Sequence, residues 1–181
     1  METVLVEKKN INEVVELLKQ DEVVAFPTET VFGLGVKFGN LSALEKIYEI
    51  KHRSHSKAVS LMIYDSQDIE KYAYVNTNAQ KLIDEFMPGM ITLVLKKKSI
   101  LSDDFTAGYD TIGIRIPDDP FVLKLLKEVG PMLVTSANIS GQETLLNDQE
   151  VYKQFKGKIK MIVKGECKST LASTVIKVDE D

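Results

Sequence analysis

Short β-rich runs alternate with apolar runs of helical period along the whole chain, and in several places two strands follow each other with no helix between them. Thr3 to Val6 reads as a strand, and Ile11, Val14, Val15, Leu17 and Leu18 then recur at helical spacing. Val23 to Phe26 is a second strand, stopped by Pro27 and followed by a long glycine-containing segment. Ser42 with Glu45, and Thr77 with Gln80, have capping-box spacing and are expected to open helices. Between them Val59 to Tyr64 reads as a buried strand. Pro88-Gly89 ends the later helix, and Ile91 to Leu95 and Ile112 to Ile116 are strands. Asp118 or Asp119 before Pro120 is a helix start, with Phe121, Val122, Leu125, Leu126 and Val129 on one face. Met132 to Val134 is a strand, Asn147 with Glu150 caps another helix, and Met161 to Val163 and Thr174 to Val178 close the series. Helices packed on a mixed sheet are the expected architecture, within a single α/β domain over 1–181. A simple doubly wound sheet is not expected, because adjacent strands lack the crossover helices it needs.

Composition narrows the class. Of 181 residues, 23 are Lys or Arg and 27 are Asp or Glu, a formal net charge of −4. That balance argues against a protein that coats nucleic acid by charge alone. Cys167 is the one cysteine, so no internal disulfide forms, and a Cys/His zinc cage lacks ligands. No apolar run reaches the roughly 20 residues of a membrane span, and the N-terminus lacks the basic start and apolar stretch of a secretory leader. A cytoplasmic protein with no membrane partner is the expectation. Only Arg53 and Arg115 are arginines. A lysine-rich codon bias accounts for that scarcity, yet two-pronged binding of phosphate or carboxylate favours arginine, so both positions matter.

Four segments carry candidate chemistry. Pro27-Thr28-Glu29-Thr30-Val31-Phe32-Gly33-Leu34-Gly35 follows a strand and is dense in hydroxyls and glycine. It is either a tight turn or a place where backbone approaches a ligand closely. It is neither a Walker loop nor a dinucleotide fingerprint. Lys51-His52-Arg53-Ser54-His55-Ser56-Lys57 gathers three fixed cations and both histidines without a carboxylate. It is either a solvated basic loop at a helix C-terminus or a focused anion site. In Thr111-Ile112-Gly113-Ile114-Arg115-Ile116-Pro117, alternation puts Arg115 on the face of Gly113 and Pro117, opposite the isoleucines. There it either pairs with an acidic residue or lines a cleft. Val134-Thr135-Ser136-Ala137-Asn138-Ile139-Ser140-Gly141 leaves the end of a strand, where small polar groups bind ligands in α/β sheets or simply make a turn. No Gly-x-Ser-x-Gly elbow is present, and no metal cage is evident. Lys96-Lys97-Lys98 ends a strand and is most simply a solvated edge.

In this order and spacing the segments resemble the YrdC family of threonylcarbamoyl-AMP synthases, in a short form without the extra C-terminal domain of longer members. The matching stretch runs from Pro27 to Val175, with Ser173-Thr174-Val175 as its last element. The resemblance implies a twisted open mixed sheet with a large concave basic cavity. It implies that L-threonine, bicarbonate or CO2, and ATP give threonylcarbamoyl-AMP and pyrophosphate, the product feeding a separate transferase that modifies tRNA. The threonine amine captures CO2 as a carbamate, whose oxygen attacks the α-phosphorus of ATP. Positioning and charge neutralisation suffice, without a side-chain nucleophile. By this carry-over Lys51, Arg53 and Lys57 clamp the triphosphate, and Ser136, Asn138 and Thr144 lie on the nucleotide side. Thr30, Thr111, Arg115 and Ser173 lie around threonine, and Lys51, Arg53 and Arg115 carry the catalytic burden. Mg2+ would travel with ATP, held by phosphates and waters. Ser54 stands where the family commonly has proline, Met62 where longer members can carry a polar residue, and Ile176-Lys177 replaces the usual continuation after Ser-Thr-Val. Two other functions are kept beside the synthase: a non-catalytic module that binds tRNA or double-stranded RNA through the lysine clusters, and a diverged nucleotide-binding paralogue.

Overall fold

A computed structural model describes residues 1–180. Nine strands form one sheet: β1 (Val4–Val6), β2 (Val24–Phe26), β3 (Gly33–Lys37), β4 (Ser60–Met62), β5 (Ile91–Lys96), β6 (Thr111–Arg115), β7 (Met132–Ser136), β8 (Met161–Val163) and β9 (Thr174–Lys177). Their order across the sheet is β1-β8-β2-β3-β7-β4-β6-β5-β9. Pairing is mixed. β1 with β8, β8 with β2, β4 with β6 and β5 with β9 are parallel, and the other neighbours are antiparallel. The α/β class and the mixed sheet therefore stand as expected.

Six helices pack on the sheet: α1 (Ile11–Lys19), α2 (Leu41–Lys51), α3 (Ile69–Tyr72), α4 (Thr77–Phe86), α5 (Pro120–Val129) and α6 (Asp148–Phe155). Strand alternation divides the core in two. Val24, Phe26, Met132, Val134, Met161 and Val163 point to one face, where α1 presents Ile11, Val14, Val15 and Leu18 and α5 presents Phe121, Val122, Leu125, Leu126 and Val129. Ala25, Leu34, Leu61, Leu93, Ile112, Ile114 and Leu133 point to the other, under α2, α4 and α6. Each such side chain contributes roughly 1.5–3 kcal/mol when fully buried, so both helix layers are anchored by their apolar stripes.

Three local expectations change. The glycine-containing segment after Pro27 continues as β3, antiparallel to β2 with Phe26 opposite Gly33. Glycine is a weak strand former, but four of the five β3 residues are buried and burial overrides propensity here. The cap of α2 is Asn40, whose side chain accepts from the Ser42 amide at 2.9 Å, rather than Ser42 itself. The cap of α4 is Asn76, which accepts from the Ala79 amide at 2.8 Å, rather than Thr77. Asn is as good an N-cap as Ser, and in each case it sits one or two positions earlier with extended backbone. Asp119 before Pro120 and Asn147 before Asp148 cap α5 and α6 as expected.

Candidate active site

The polar residues on the α1/α5 side of the sheet collect where β4, β5 and β6 lie side by side. Register places Met62 beside Arg115, and puts Arg115, Gly113 and Ser60 on one face with Thr92. Small size is required there: a Cβ on Gly113 would lie 3.0 Å from Ser60 Oγ and 3.3 Å from Thr92 Cγ2. The result is a pocket of about 160 Å³ lined by Thr28, Thr30, Arg53, Ser60, Thr92, Arg115, Ser136 and Ser173 among others. No histidine or cysteine lines it.

The segment leaving β2 is folded by its own hydroxyls. Thr28 Oγ1 donates to the Val31 carbonyl at 2.7 Å, accepts from the Thr30 amide at 3.1 Å, and meets Thr30 Oγ1 at 2.9 Å. Thr30 Oγ1 in turn accepts from Arg115 Nη1 at 3.0 Å. Arg115 Nη2 pairs with Glu29 Oε1. Both readings of Arg115 therefore hold at once: it is bound to an acidic residue and it lines the cleft. Its side chain is 9% exposed, and burial pushes its pKa down to about 10. Arg115 Nε and Glu29 Oε2 are buried without a hydrogen-bond partner among the described residues. Gly35, by contrast, serves packing. A Cβ there would lie 2.8 Å from the Phe26 ring and 2.9 Å from Met132 Cε, so this glycine admits a side chain rather than a ligand.

The basic segment begins inside α2, because Lys51 is the last residue of that helix. His52 follows in left-handed backbone, φ 51°, and turns the chain away. Lys51 is 1% exposed. Its Nζ donates to the Ser136 carbonyl and lies 3.4 Å from Asn138 Oδ1. Desolvation first, and the neighbouring Arg53 second, bring its pKa down to about 8. Arg53 folds back on its own loop: Nε donates to the Lys57 carbonyl at 3.0 Å and Nη2 to the Ala58 carbonyl at 2.7 Å. Burial lowers its pKa from the usual value, though it stays a cation at neutral pH.

The turn after β7 docks on this corner. Ser136 Oγ donates to Asn138 Oδ1 at 2.6 Å, Asn138 Nδ2 donates to the Ile139 and Gln142 carbonyls, and the Ser140 amide donates to the Lys51 carbonyl at 2.8 Å. Ser173, just before β9, meets Thr92 Oγ1 at 2.7 Å.

Of the residues expected from the sequence, Thr30, Arg53, Arg115, Ser136 and Ser173 line one pocket, and Lys51 and Asn138 are buried behind Ser136. Lys57, Thr111 and Thr144 are not among the lining residues. Lys57 is exposed and meets Arg53 through its carbonyl. Thr111 opens β6 opposite Lys96, four residues or roughly 13 Å along the strand from Arg115. Thr144 lies in the turn whose Leu145 carbonyl accepts from the Phe32 amide. Sequence reasoning passed over Ser60 and Thr92. Their signal was weak: each is a lone hydroxyl in an apolar strand, and cross-strand register alone brings them beside Arg115.

Several of the remaining lysines are committed. Lys46 pairs with Glu22, Lys96 with Glu180 and Lys97 with Asp103, while Lys98 Nζ donates to the Glu70 carbonyl. His55 is held by Glu45. Among the described residues no group of three or more His, Cys, Asp and Glu side chains converges to hold a metal ion, and no helix is long and apolar enough to cross a membrane.

Both arginines and a group of hydroxyls thus meet in one pocket on a face of a mixed α/β sheet. The chain belongs to the Sua5/YciO/YrdC family, whose model, described as "Telomere recombination", matches residues 16–181. A threonylcarbamoyl-AMP synthase of Vibrio vulnificus is 37% identical over 161 residues, covering 87% of this chain and 87% of that protein. The threonylcarbamoyl-AMP synthase of Bacillus subtilis is 41% identical over 152 residues, covering 82% of this chain and 44% of that protein. The crystal structure of P. abyssi Sua5 complexed with L-threonine superposes with a TM-score of 0.91 at 33% identity, over 99% of this chain and 54% of that one. The chain thus spans most of the Vibrio relative and about half of the other two.

Proposed function

We propose that this protein is a threonylcarbamoyl-AMP synthase, joining L-threonine, bicarbonate or CO2, and ATP into threonylcarbamoyl-AMP with release of pyrophosphate. The observation that carries this reading is the pairing of Arg53 and Arg115 across one hydroxyl-lined pocket, in a chain that has no other arginine. The synthase names of its relatives support it.

The pocket's size supports a division of the ligands. Pockets that enclose a drug-sized ligand measure roughly 300–1,000 Å³. At about 160 Å³ this one encloses the smaller substrate and leaves the nucleotide across its open side. Arg115, steadied by Thr30, faces the threonine carboxylate, with Ser173 on the same pocket lining beside Thr92. Arg53 and Lys51 stand toward the triphosphate, and Ser136 and Asn138 toward the nucleoside. Lys57 and Thr144, outside the enclosed volume, fall on the nucleotide side, while Thr111 takes no part in this scheme. The threonine amine adds to CO2, a carbamate oxygen attacks the α-phosphorus, and the P–O bond to pyrophosphate breaks. What the protein supplies is alignment of two anions and fixed positive charge against their repulsion. Mg2+ would enter with ATP and neutralise phosphate charge, held by phosphate oxygens and water rather than by a protein cage. The product, a reactive mixed anhydride, would pass to a separate transferase acting on tRNA in the cytoplasm.

Pyrophosphate release measured with ATP, Mg2+, bicarbonate and L-threonine tests the reading. Release should require threonine and bicarbonate together. Arg53→Ala and Arg115→Ala should each lower turnover by about 10²-fold or more, the range for losing an aligned charge in the transition state. Wild-type protein that binds ATP yet never releases pyrophosphate with threonine would instead mark a diverged nucleotide-binding paralogue.

A further inference from the structure

Arg53 can serve a phosphate only if its loop is held still, and the loop's own hydrogen bonds do not attach it to the sheet. They run among 53–58: Lys57 amide to Ser54 carbonyl at 3.0 Å, Ser54 Oγ to Ser56 Oγ at 2.8 Å, and the guanidinium to the Lys57 and Ala58 carbonyls. The attachment comes from α2. Tyr48, one turn before the helix end and 5% exposed, donates from its hydroxyl to the same Lys57 carbonyl at 3.0 Å. The His55 ring stacks on the Tyr48 ring with centroids 4.7 Å apart and an interplanar angle of 26°. His55 Nε2 lies 2.8 and 2.9 Å from the two oxygens of Glu45, one turn earlier on the same helix. Asp103 and Asp104 border the same surface depression, with Asp103 taken up by Lys97, so Glu45 is the carboxylate the imidazole meets.

We propose that Glu45, Tyr48 and His55 are positioning residues that fasten the 52–58 loop to α2 and so aim the Arg53 guanidinium at the triphosphate. The assignment rests on the synthase reading above for the identity of the ligand. The coupling is direct, because Tyr48 and Arg53 share one acceptor, the Lys57 carbonyl. Losing the His55 ring uncovers Tyr48 and releases the loop tip, while Lys51, fixed by Ser136 and Asn138, stays in place. Arg53 also borders the pocket given to threonine, but that substrate is held by Arg115 and Thr30 on the sheet, so the effect falls mainly on the nucleotide. The Glu45 contact and the stacking separate experimentally. Phenylalanine at 55 keeps a ring over Tyr48 and loses Glu45, whereas alanine loses both.

The experiment is steady-state kinetics for both substrates beside calorimetric binding of inorganic triphosphate to the free protein. His55→Ala should raise the KM for ATP and weaken triphosphate binding about tenfold, leave the KM for threonine within about twofold, and leave the melting temperature unchanged. His55→Phe and Glu45→Gln should fall between the wild type and His55→Ala. Triphosphate affinity unaltered in His55→Ala, or an equal rise in both KM values, would overturn the proposal. If His55→Ala is poorly folded, His55→Phe and Tyr48→Phe decide by the same two readouts. Triphosphate binding that follows this order in a protein without threonine-dependent turnover would uphold the loop anchor and sink the synthase reading.

Discussion

Arg115 and Lys51 show what burial does to a cation that an α/β site keeps for ligands. Arg115 stays charged at neutral pH even with its pKa brought down to about 10, because arginine starts so high. Lys51, brought down to about 8, does not have that margin. Between about 8 and its ordinary value the unfolded chain holds a proton at this position that the folded protein has lost. The contribution of Lys51 therefore makes the fold more stable as pH rises through that window, and it is constant below it. A phosphate placed against Lys51 favours the cation and raises its pKa. Nucleotide binding near pH 8 should accordingly take up about half a proton. Calorimetry in two buffers of different ionisation enthalpy measures it, and an observed heat independent of buffer would remove Lys51 from the phosphate site.

At the scale of elements, the helix starts teach how local signals succeed and fail. The start of α5 was legible because Pro fixes the first helical residue, and of the two candidates Asp118 and Asp119 the structure selects Asp119, which accepts from the Val122 amide at 3.0 Å. Asn40 and Asn76 were obscured because Ser42 and Thr77 each had a matching Gln or Glu three positions on, and the pattern cannot tell which of two neighbouring polar residues keeps extended backbone. β3 was hidden for another reason. Its glycines read as loop, yet Gly35 is there because the Phe26 ring crosses it on the neighbouring strand. Gly35→Ala should cost about 1–3 kcal/mol by overpacking, seen as a lower urea midpoint at unchanged slope. A midpoint equal to wild type would mean the Phe26 ring yields freely.

Over the whole molecule, lysine serves mainly the surface, Lys51 excepted, and both arginines line the candidate site. Of the lysines that gave an RNA-binding alternative its motive, three are paired: Lys46 with Glu22, Lys96 with Glu180, Lys97 with Asp103. Exposed pairs contribute little stability, typically below about 1 kcal/mol, but they remove free positive potential from the surface. With a net charge of −4, the protein should show only weak affinity for tRNA at about 0.15 M salt, where screening reaches down to roughly 8 Å. Fluorescence anisotropy against labelled tRNA checks this, and tight binding with a steep salt slope would point to a basic face built by folding from residues other than these.

Sequence alone determined the α/β class, most strands and helices, and the segments that meet at the site, because hydrophobic period, caps and glycine placement act over a few residues. It also marked both arginines, since two among 181 residues is a sparse signal. What only the tertiary structure decided depends on distance along the chain. Thr30 reaches Arg115 from 85 positions away, Ser136 and Asn138 reach Lys51 from 85 and 87, and Ser173 reaches Thr92 from 81. Register across the sheet sets those meetings. No local pattern encodes register when its partners come from strands separated by most of the fold.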